Sequence, residues 1–140
     1  MKPKEYLLEA TKYRRLAQAI SDQIEELRHQ MAGIGAIRYD KDHVQTSPVN
    51  RMDLLMPRLI KMEEKYIRTL ARYSAEVLKR TKQIESLDDP RYVELLTLRY
   101  IRDLTWEEIA DAMTYEVRHV YRLHGEALQA FGHKHMKGGK

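Results

Sequence analysis

The chain has 140 residues, of which 43% are hydrophobic and 33% charged; its formal net charge is +4 and it contains no cysteine. This length fits one ordinary domain, the composition favours solvated helices over disorder, and the lack of cysteine excludes disulfides and thiolate metal sites. No apolar run approaches the ~18 residues of a membrane span, and the N-terminus lacks a signal-peptide core. We therefore expect a cytoplasmic protein without a membrane partner, whose positive charge weakly favours an anionic partner.

Apolar and tyrosine side chains recur three and four residues apart from Tyr6 to Met31. This heptad spacing predicts one helix over about 4–31, with Pro3 in its first turn. Residues 33–50 contain Gly, Asp and Ser-Pro without a sustained period, which predicts a loop. A loop of this length is usually either functional or disordered.

A second stripe with the same spacing runs from Leu59 to Ile84. It predicts a helix that begins between Met52 and Pro57, because proline fits best in a first turn. Two long helices with matching stripes predict an antiparallel hairpin over 1–87, a coiled-coil-like arm through which the chain forms a homo-oligomer, most simply a dimer. The basic side chains of the second helix fit either an ordinary solvated face or a face that follows phosphates. They are Arg58, Lys61, Lys65, Arg68, Arg72, Lys79, Arg80 and Lys82.

A break in the pattern after the arm predicts a separate C-terminal domain over 88–131. Asp89 followed by Pro90 is typical of an N-cap and a first helical position, which predicts a third helix over about 90–101. The tail 132–140 is rich in Gly, Lys and His, and we expect it to be flexible.

The segment LTWEEIADAM, residues 104–113, predicts the fourth helix. Thr105 and Glu108 fit a capping box, in which each side chain accepts a hydrogen bond from the other residue's backbone N–H. Trp106 begins a buried face, and Ala110 is small where a following helix would cross. The predicted fold is all-α: a long antiparallel helical hairpin followed by a C-terminal three-helix helix-turn-helix domain.

The fifth helix, predicted over 116–131, follows a tight turn of sequence MTYE. Thr114 stands where such turns often have glycine, and a left-handed backbone there would cost energy, so we expect the turn to differ in detail. Thr114 is also the candidate cap of the fifth helix. The second helix of a helix-turn-helix presents side chains near its N-terminal end to the major groove, where arginine suits guanine and Val117 suits a thymine methyl. The predicted DNA-binding residues are Glu116, Val117, Arg118, His119, Tyr121 and Arg122.

The segment VELLTLRYIRDLTWEEIADAMTYEVRHVYRLHGEALQAF resembles region 4 of bacterial sigma factors, the part that reads the −35 promoter element. LRYIRDLTWEEIADAM is similar to the sigma pattern LRY…GLS(Y/W)EEIA, and VRHVYRLHGEAL is similar to its recognition helix. The resemblance covers roughly residues 90–131, and no counterpart of sigma region 2 is visible. The whole layout resembles a family of small phage and prophage proteins thought to regulate late transcription. The resemblance implies a DNA-binding transcription regulator in a bacterial host, with double-stranded DNA and RNA polymerase as partners.

Two other functions fit the same pattern. One is a protein-interaction adaptor for RNA polymerase or another helical partner, since similar three-helix units also bind proteins. The other is a small DNA-packaging subunit of the terminase type, which also joins a helix-turn-helix to an oligomerising arm. No residues suggest a nucleophile with its base, GIGAIR follows no strand, and His133 and His135 alone make a weak metal pair. We therefore expect no enzymatic activity, no cofactor and no metal.

Overall fold

The computed structural model describes residues 1–37 and 48–136, and within these ranges it is all-helical, as predicted, with no strand. No helix in this part of the chain is long and apolar enough to cross a membrane. The third predicted helix is present over its full extent, but its second half is a π-helix, which is wider than an α-helix. The elements in order are α1 (Pro3–Ile37), α2 (Pro48–Glu85), α3 (Pro90–Leu96), the π-helix (Thr97–Ile101), α4 (Trp106–Met113) and α5 (Val117–His135).

The two long helices are longer than the sequence predicts. α1 continues to Ile37 and α2 begins at Pro48, so the predicted loop 33–50 is wrong at both ends, and residues 38–47 lie outside the described residues. A glycine inside a helix costs only about 1 kcal/mol, so Gly33 does not end α1. Pro48 takes the first-turn position that the sequence analysis gave to Pro57, and Pro57 lies inside α2.

The last helix also extends further than predicted. The predicted helix 116–131 is in fact α5 from Val117 to His135, so the tail 132–140 is helical in its first four residues, while residues 137–140 lie outside the described residues. His135 Nε2 lies 2.7 Å from Ser86 Oγ, a contact that holds this last turn. Gly132 allows a close approach, because a Cβ built on it would lie 2.9 Å from Pro3 Cγ.

The chain divides into two compact units. The terminal unit consists of Met1–Lys12 and Tyr73–Lys140, and the middle unit consists of Tyr13–Arg72. The ends of α1 and α2 therefore belong with the three C-terminal helices, and the predicted boundary after residue 87 falls inside the terminal unit.

The middle unit has a small core between α1 and α2. Arg28 Nη2 lies 3.4 Å from Glu63 Oε2, and the Arg72 guanidinium lies 5.4 Å from the centre of the Tyr13 ring. The spacing of three and four residues along both helices places one apolar stripe of each in the core. Its buried residues are Ile20, Ile24, Leu27 and Leu59.

The terminal unit has the larger core, in which the first turns of α1 pack with the C-terminal helices. Leu7, Ile84 and Phe131 have no exposed surface. α5 packs against both α3 and α4, and Ala110 is buried, which agrees with the small residue expected on α4. Val120, Leu123 and Ala127 supply the buried stripe of α5; they join a cluster formed with Leu87, Leu95, Leu96, Leu98, Tyr100 and Ile109.

Arg80 is buried in the terminal unit, with 1% of its surface exposed. Its Nε donates to the Tyr6 carbonyl oxygen at 2.8 Å, its Nη2 donates to Glu9 Oε2 at 3.0 Å, and its Nη1 donates to the Glu76 carboxylate. The guanidinium also lies 4.1 Å from the centre of the Tyr6 ring. The assignment of Arg80 to the basic face of the second helix is therefore wrong, because two carboxylates and a carbonyl hold its charge inside the protein.

Candidate nucleic-acid interface

The start of α4 is fixed by the predicted capping box. Thr105 Oγ1 accepts from the Glu108 N–H at 3.2 Å, and Glu108 Oε1 accepts from the Thr105 N–H at 3.0 Å. The backbone hydrogen bond from Thr105 lowers the pKa of Glu108, so its carboxylate stays charged at the positive end of the helix dipole. The beginning of α4 is thus set locally by residues that the sequence already indicates.

The expectation that the turn after α4 differs from the usual left-handed turn is wrong, because Thr114 adopts the left-handed conformation itself. Thr114 has φ 60° and ψ 42°, the Tyr115 N–H donates to the Ala110 carbonyl at 2.9 Å, and the Thr114 N–H donates to the Asp111 carbonyl at 3.3 Å. This pair of bonds is a Schellman motif, which turns the chain sharply and usually contains glycine. Thr114 therefore ends α4 and is not the cap of α5. Glu116 is the N-cap of α5, and its side chain makes no capping hydrogen bond.

Replacing Thr114 with glycine is expected to raise the free energy of unfolding by about 1 kcal/mol. A left-handed conformation costs a side-chain-bearing residue roughly 1–2 kcal/mol, which exceeds the extra entropy that glycine loses on folding. Urea unfolding measures the difference. Thr114→Ala is the matched control, because it removes the side chain beyond Cβ but keeps the strain; an equal gain in both variants would contradict the explanation.

One side of α5 is exposed from its first turn to its middle. Arg118, Tyr121 and Arg122 lie three and four residues apart on this side, and within the described part of the chain no carboxylate pairs with either arginine. Gly125 continues the same exposed stripe, and a Cβ built on it would have no neighbour within 4 Å. Two guanidinium groups and a phenol thus share one accessible face at the N-terminal half of the helix.

The other three predicted site residues are placed differently. Val117 is half-buried and packs against the core of the terminal unit. His119 is also half-buried, with its ring centre 4.3 Å from that of Tyr115. Glu116 is exposed at the N-cap. The structure therefore brings Arg118, Tyr121 and Arg122 together on one exposed face. The side chains of Val117 and His119 are instead partly covered by other residues of the protein.

A cationic and aromatic cluster lies beside this face and was not predicted from the sequence. Trp106, predicted to lie on the buried face of the fourth helix, is only half-buried. The Arg99 guanidinium lies 4.2 Å from the centre of the Trp106 ring, and Tyr121 meets the same ring at 5.2 Å between centres. Arg99 Nη1 also donates to the Leu104 carbonyl at 2.9 Å. Arg99 belongs to the π-helix, whose altered period rotates its side chains away from where an α-helical reading would place them.

His124 supports this cluster from behind. It is 9% exposed, its Nε2 lies 2.7 Å from Tyr100 Oη, and the Trp106 ring stands edge-on to it at 4.6 Å between centres. Burial lowers the pKa of His124 to about 4 and raises the pKa of Tyr100 to about 12. Both groups are thus neutral near pH 7, and their hydrogen bond joins α5 to the π-helix.

Stability should fall by about 2 kcal/mol between pH 7 and pH 5 through His124 alone. Its pKa falls from 6.5 to about 4 on folding, so the unfolded chain binds the proton more tightly. The stabilisation is therefore complete above the pKa that His124 has in the unfolded chain. It is lost as the pH falls from about 6.5 towards 4, at about 1.4 kcal/mol per pH unit. The measurement is urea unfolding of wild type and of His124→Gln at several pH values. The two curves should converge at low pH, and parallel curves would contradict the assignment.

We compared the chain with family models, with curated proteins and with solved structures, and none of the three comparisons found a match. The resemblance to sigma region 4 therefore stays a prediction from the motifs in residues 90–131.

Proposed function

We propose that the protein is a DNA-binding transcription regulator of phage or prophage type. In this proposal α4, the turn and α5 form a helix-turn-helix, and α5 lies in the major groove. The observation that carries the proposal is the exposed face with Arg118, Tyr121 and Arg122, which follows directly on the Schellman turn. The packing of α4 against α5 across only residues 114–116 supports the same arrangement.

The proposed contacts follow from side-chain chemistry. Arg118 and Arg122 lie one turn apart, and each can donate two hydrogen bonds to guanine O6 and N7 or to a phosphate. Tyr121 is 51% exposed, and its hydroxyl can donate a hydrogen bond to a phosphate oxygen. Glu116 can accept from the amino group of cytosine, while Val117 offers only its exposed part to a thymine methyl.

The arm is proposed to be an antiparallel hairpin that joins two copies of the chain. The pairing of Arg28 with Glu63 and of Tyr13 with Arg72 supports opposite helix directions. α2 also exposes an apolar row at Met56, Ile60, Ile67 and Ala71, of which Ile60 and Ile67 are 49% and 65% exposed. Successive members of this row are 4, 7 and 4 residues apart, so the spacing is the same in both directions along the helix. A twofold axis between two antiparallel α2 helices would therefore place Ile60 opposite Ile67 of the other copy.

Selection of bound duplexes from a random DNA pool tests the proposal, together with a measurement of solution mass. Enrichment of one sequence by a dimer is the expected result. A dimer or monomer that enriches no sequence and binds no duplex at low salt would favour the adaptor for RNA polymerase or another helical partner. A ring of several copies would favour the DNA-packaging subunit, whose function needs a closed assembly.

A further inference from the structure

We infer that the middle unit has a second DNA contact, a basic stripe on α2 that binds phosphates without regard to sequence. The stripe consists of Arg58, Lys61, Lys65, Arg68 and Arg72, which are spaced three and four residues apart and are all exposed. This spacing keeps five cations on one side of the helix over about 21 Å. The inference rests on the proposed function only in taking duplex DNA as the polyanion.

The stripe lies beside the buried side of α2. Each of the five cations directly precedes a buried or half-buried residue of that side. These residues are Leu59, Met62, Tyr66, Thr69 and Tyr73. The helix therefore holds the stripe in a fixed line at the edge of the packed surface, where the aliphatic stems can lie on apolar neighbours while the charges stay in water.

The cations of the stripe are not held in ion pairs with other described residues. Among the described residues, no carboxylate forms an ion pair with any of its five cations. Glu63 lies on the opposite side of α2, because each residue turns the helix by about 100°, and it is paired with Arg28. Glu26 of α1 borders the same surface depression as Arg58, and the exposed Glu64 lies within one turn of Lys61 and Arg68. The five cations of the stripe therefore outnumber the carboxylates beside them.

A line of cations at regular spacing suits a partner whose negative charges also repeat regularly. Neighbouring cations lie about 5–6 Å apart along the helix, and a DNA strand presents a phosphate every 3.4 Å of its axis. A flat anionic membrane would bind basic and apolar side chains together. The exposed Ile60 and Ile67 lie about a quarter of a turn from the nearest cations, and the exposed Leu54 lies one turn before Arg58, at the end of the stripe. No exposed apolar side chain interrupts the line from Arg58 to Arg72, which favours a nucleic-acid backbone.

The test compares two charge-matched variants of the full chain, Lys65→Gln/Arg68→Gln on the stripe and Arg15→Gln/Arg28→Gln on α1. Arg15 and Arg28 are exposed, and Arg28 pairs with Glu63 on the side of α2 opposite the stripe. Glutamine keeps the helix propensity of the replaced residues, so both variants should fold. Affinity is measured between 50 and 300 mM salt for a duplex enriched from the random pool and for a scrambled duplex. The slope of log affinity against log salt falls by about 0.9 for each lost phosphate contact.

The stripe variant is expected to lose at least about tenfold in affinity at low salt for both duplexes and to reduce the slope by about 2, with the ratio between duplexes unchanged. The control variant should keep the wild-type slope. An unchanged slope and affinity in the stripe variant would overturn the inference and leave the role of α5 untouched. Equal losses in both variants, or wild-type binding to anionic vesicles or polyglutamate instead of DNA, would also overturn it. If Arg118→Ala/Arg122→Ala keeps its sequence preference while the stripe variant loses slope, the inference stands and the proposed role of α5 fails.

Discussion

Arg118→Ala/Arg122→Ala is expected to lose selective DNA binding and to remain folded. A bidentate arginine contact contributes about 1–3 kcal/mol of discrimination, so loss of two should weaken binding to the preferred duplex by roughly 30-fold to 10⁴-fold. Both side chains are exposed and make no ion pair among the described residues, and alanine has the higher helix propensity. Titration of the variant with the preferred and a scrambled duplex measures the loss.

Two controls separate charge from geometry in this experiment. Arg118→Lys/Arg122→Lys keeps both charges but loses the planar guanidinium groups that donate paired hydrogen bonds to guanine. It should therefore retain the salt dependence and lose most of the sequence preference. Glu126→Ala/Gln129→Ala alters exposed residues further along α5 and should leave both quantities close to wild type. If the alanine variant at 118 and 122 binds like wild type, α5 does not read DNA through these residues.

Arg80→Ala is expected to have the largest effect on stability, a loss of about 3 kcal/mol in the free energy of unfolding. The variant loses the bonds of the guanidinium to Glu9, to Glu76 and to the Tyr6 carbonyl, and it leaves a cavity under the Tyr6 ring. Removal of one member of a buried ion pair typically costs 3–5 kcal/mol. We take the lower end because the side chains of Glu9 and Glu76 are 35% and 25% exposed and can recover some hydration.

Urea unfolding checks this prediction, and a series at position 80 identifies the cause. Arg80→Lys keeps the charge but loses the planar guanidinium group, so its free energy of unfolding should lie between those of wild type and Arg80→Ala. Arg80→Met combined with Glu9→Gln and Glu76→Gln removes the buried charges together and should recover much of the loss, because well-packed apolar groups often replace a buried ion pair at little cost. A loss below about 1 kcal/mol for Arg80→Ala would show that the network contributes little to stability.

Local signals in the sequence predicted the supports of the candidate site well. The capping box of Thr105 and Glu108 depends on residues three apart, and the N-cap at Asp89, which accepts from the Arg91 N–H at 2.9 Å, depends on residues two apart. The stripes of α1 and α2 likewise follow from spacing alone. Such features involve neighbours along the chain, so the sequence contains all that they require.

The missed features depend on residues far apart in the chain. Arg80 is buried because it forms hydrogen bonds with Glu9 and Tyr6, which precede it in the chain by 71 and 74 residues. The periodicity of α2 does not reveal these contacts. α5 continues to His135 because Ser86 and Gln83 of another segment contact its last turn. The contact of Arg99 with Trp106 depends on the π-helix, where the ordinary 3.6-residue period no longer tells which side chains share a face.

Gly125 makes the orientation of α5 accessible to direct measurement. The chain has no natural thiol, and the space above Gly125 is open, so Gly125→Cys would introduce one reactive side chain beside Arg122, at the C-terminal end of the proposed DNA-facing surface. A DNA-cleaving reagent attached there would cut the strands nearest to α5, and a fluorophore would report distances to labelled bases. The same glycine that leaves open space beside Arg122 is thus a suitable position on this helix for a reporter.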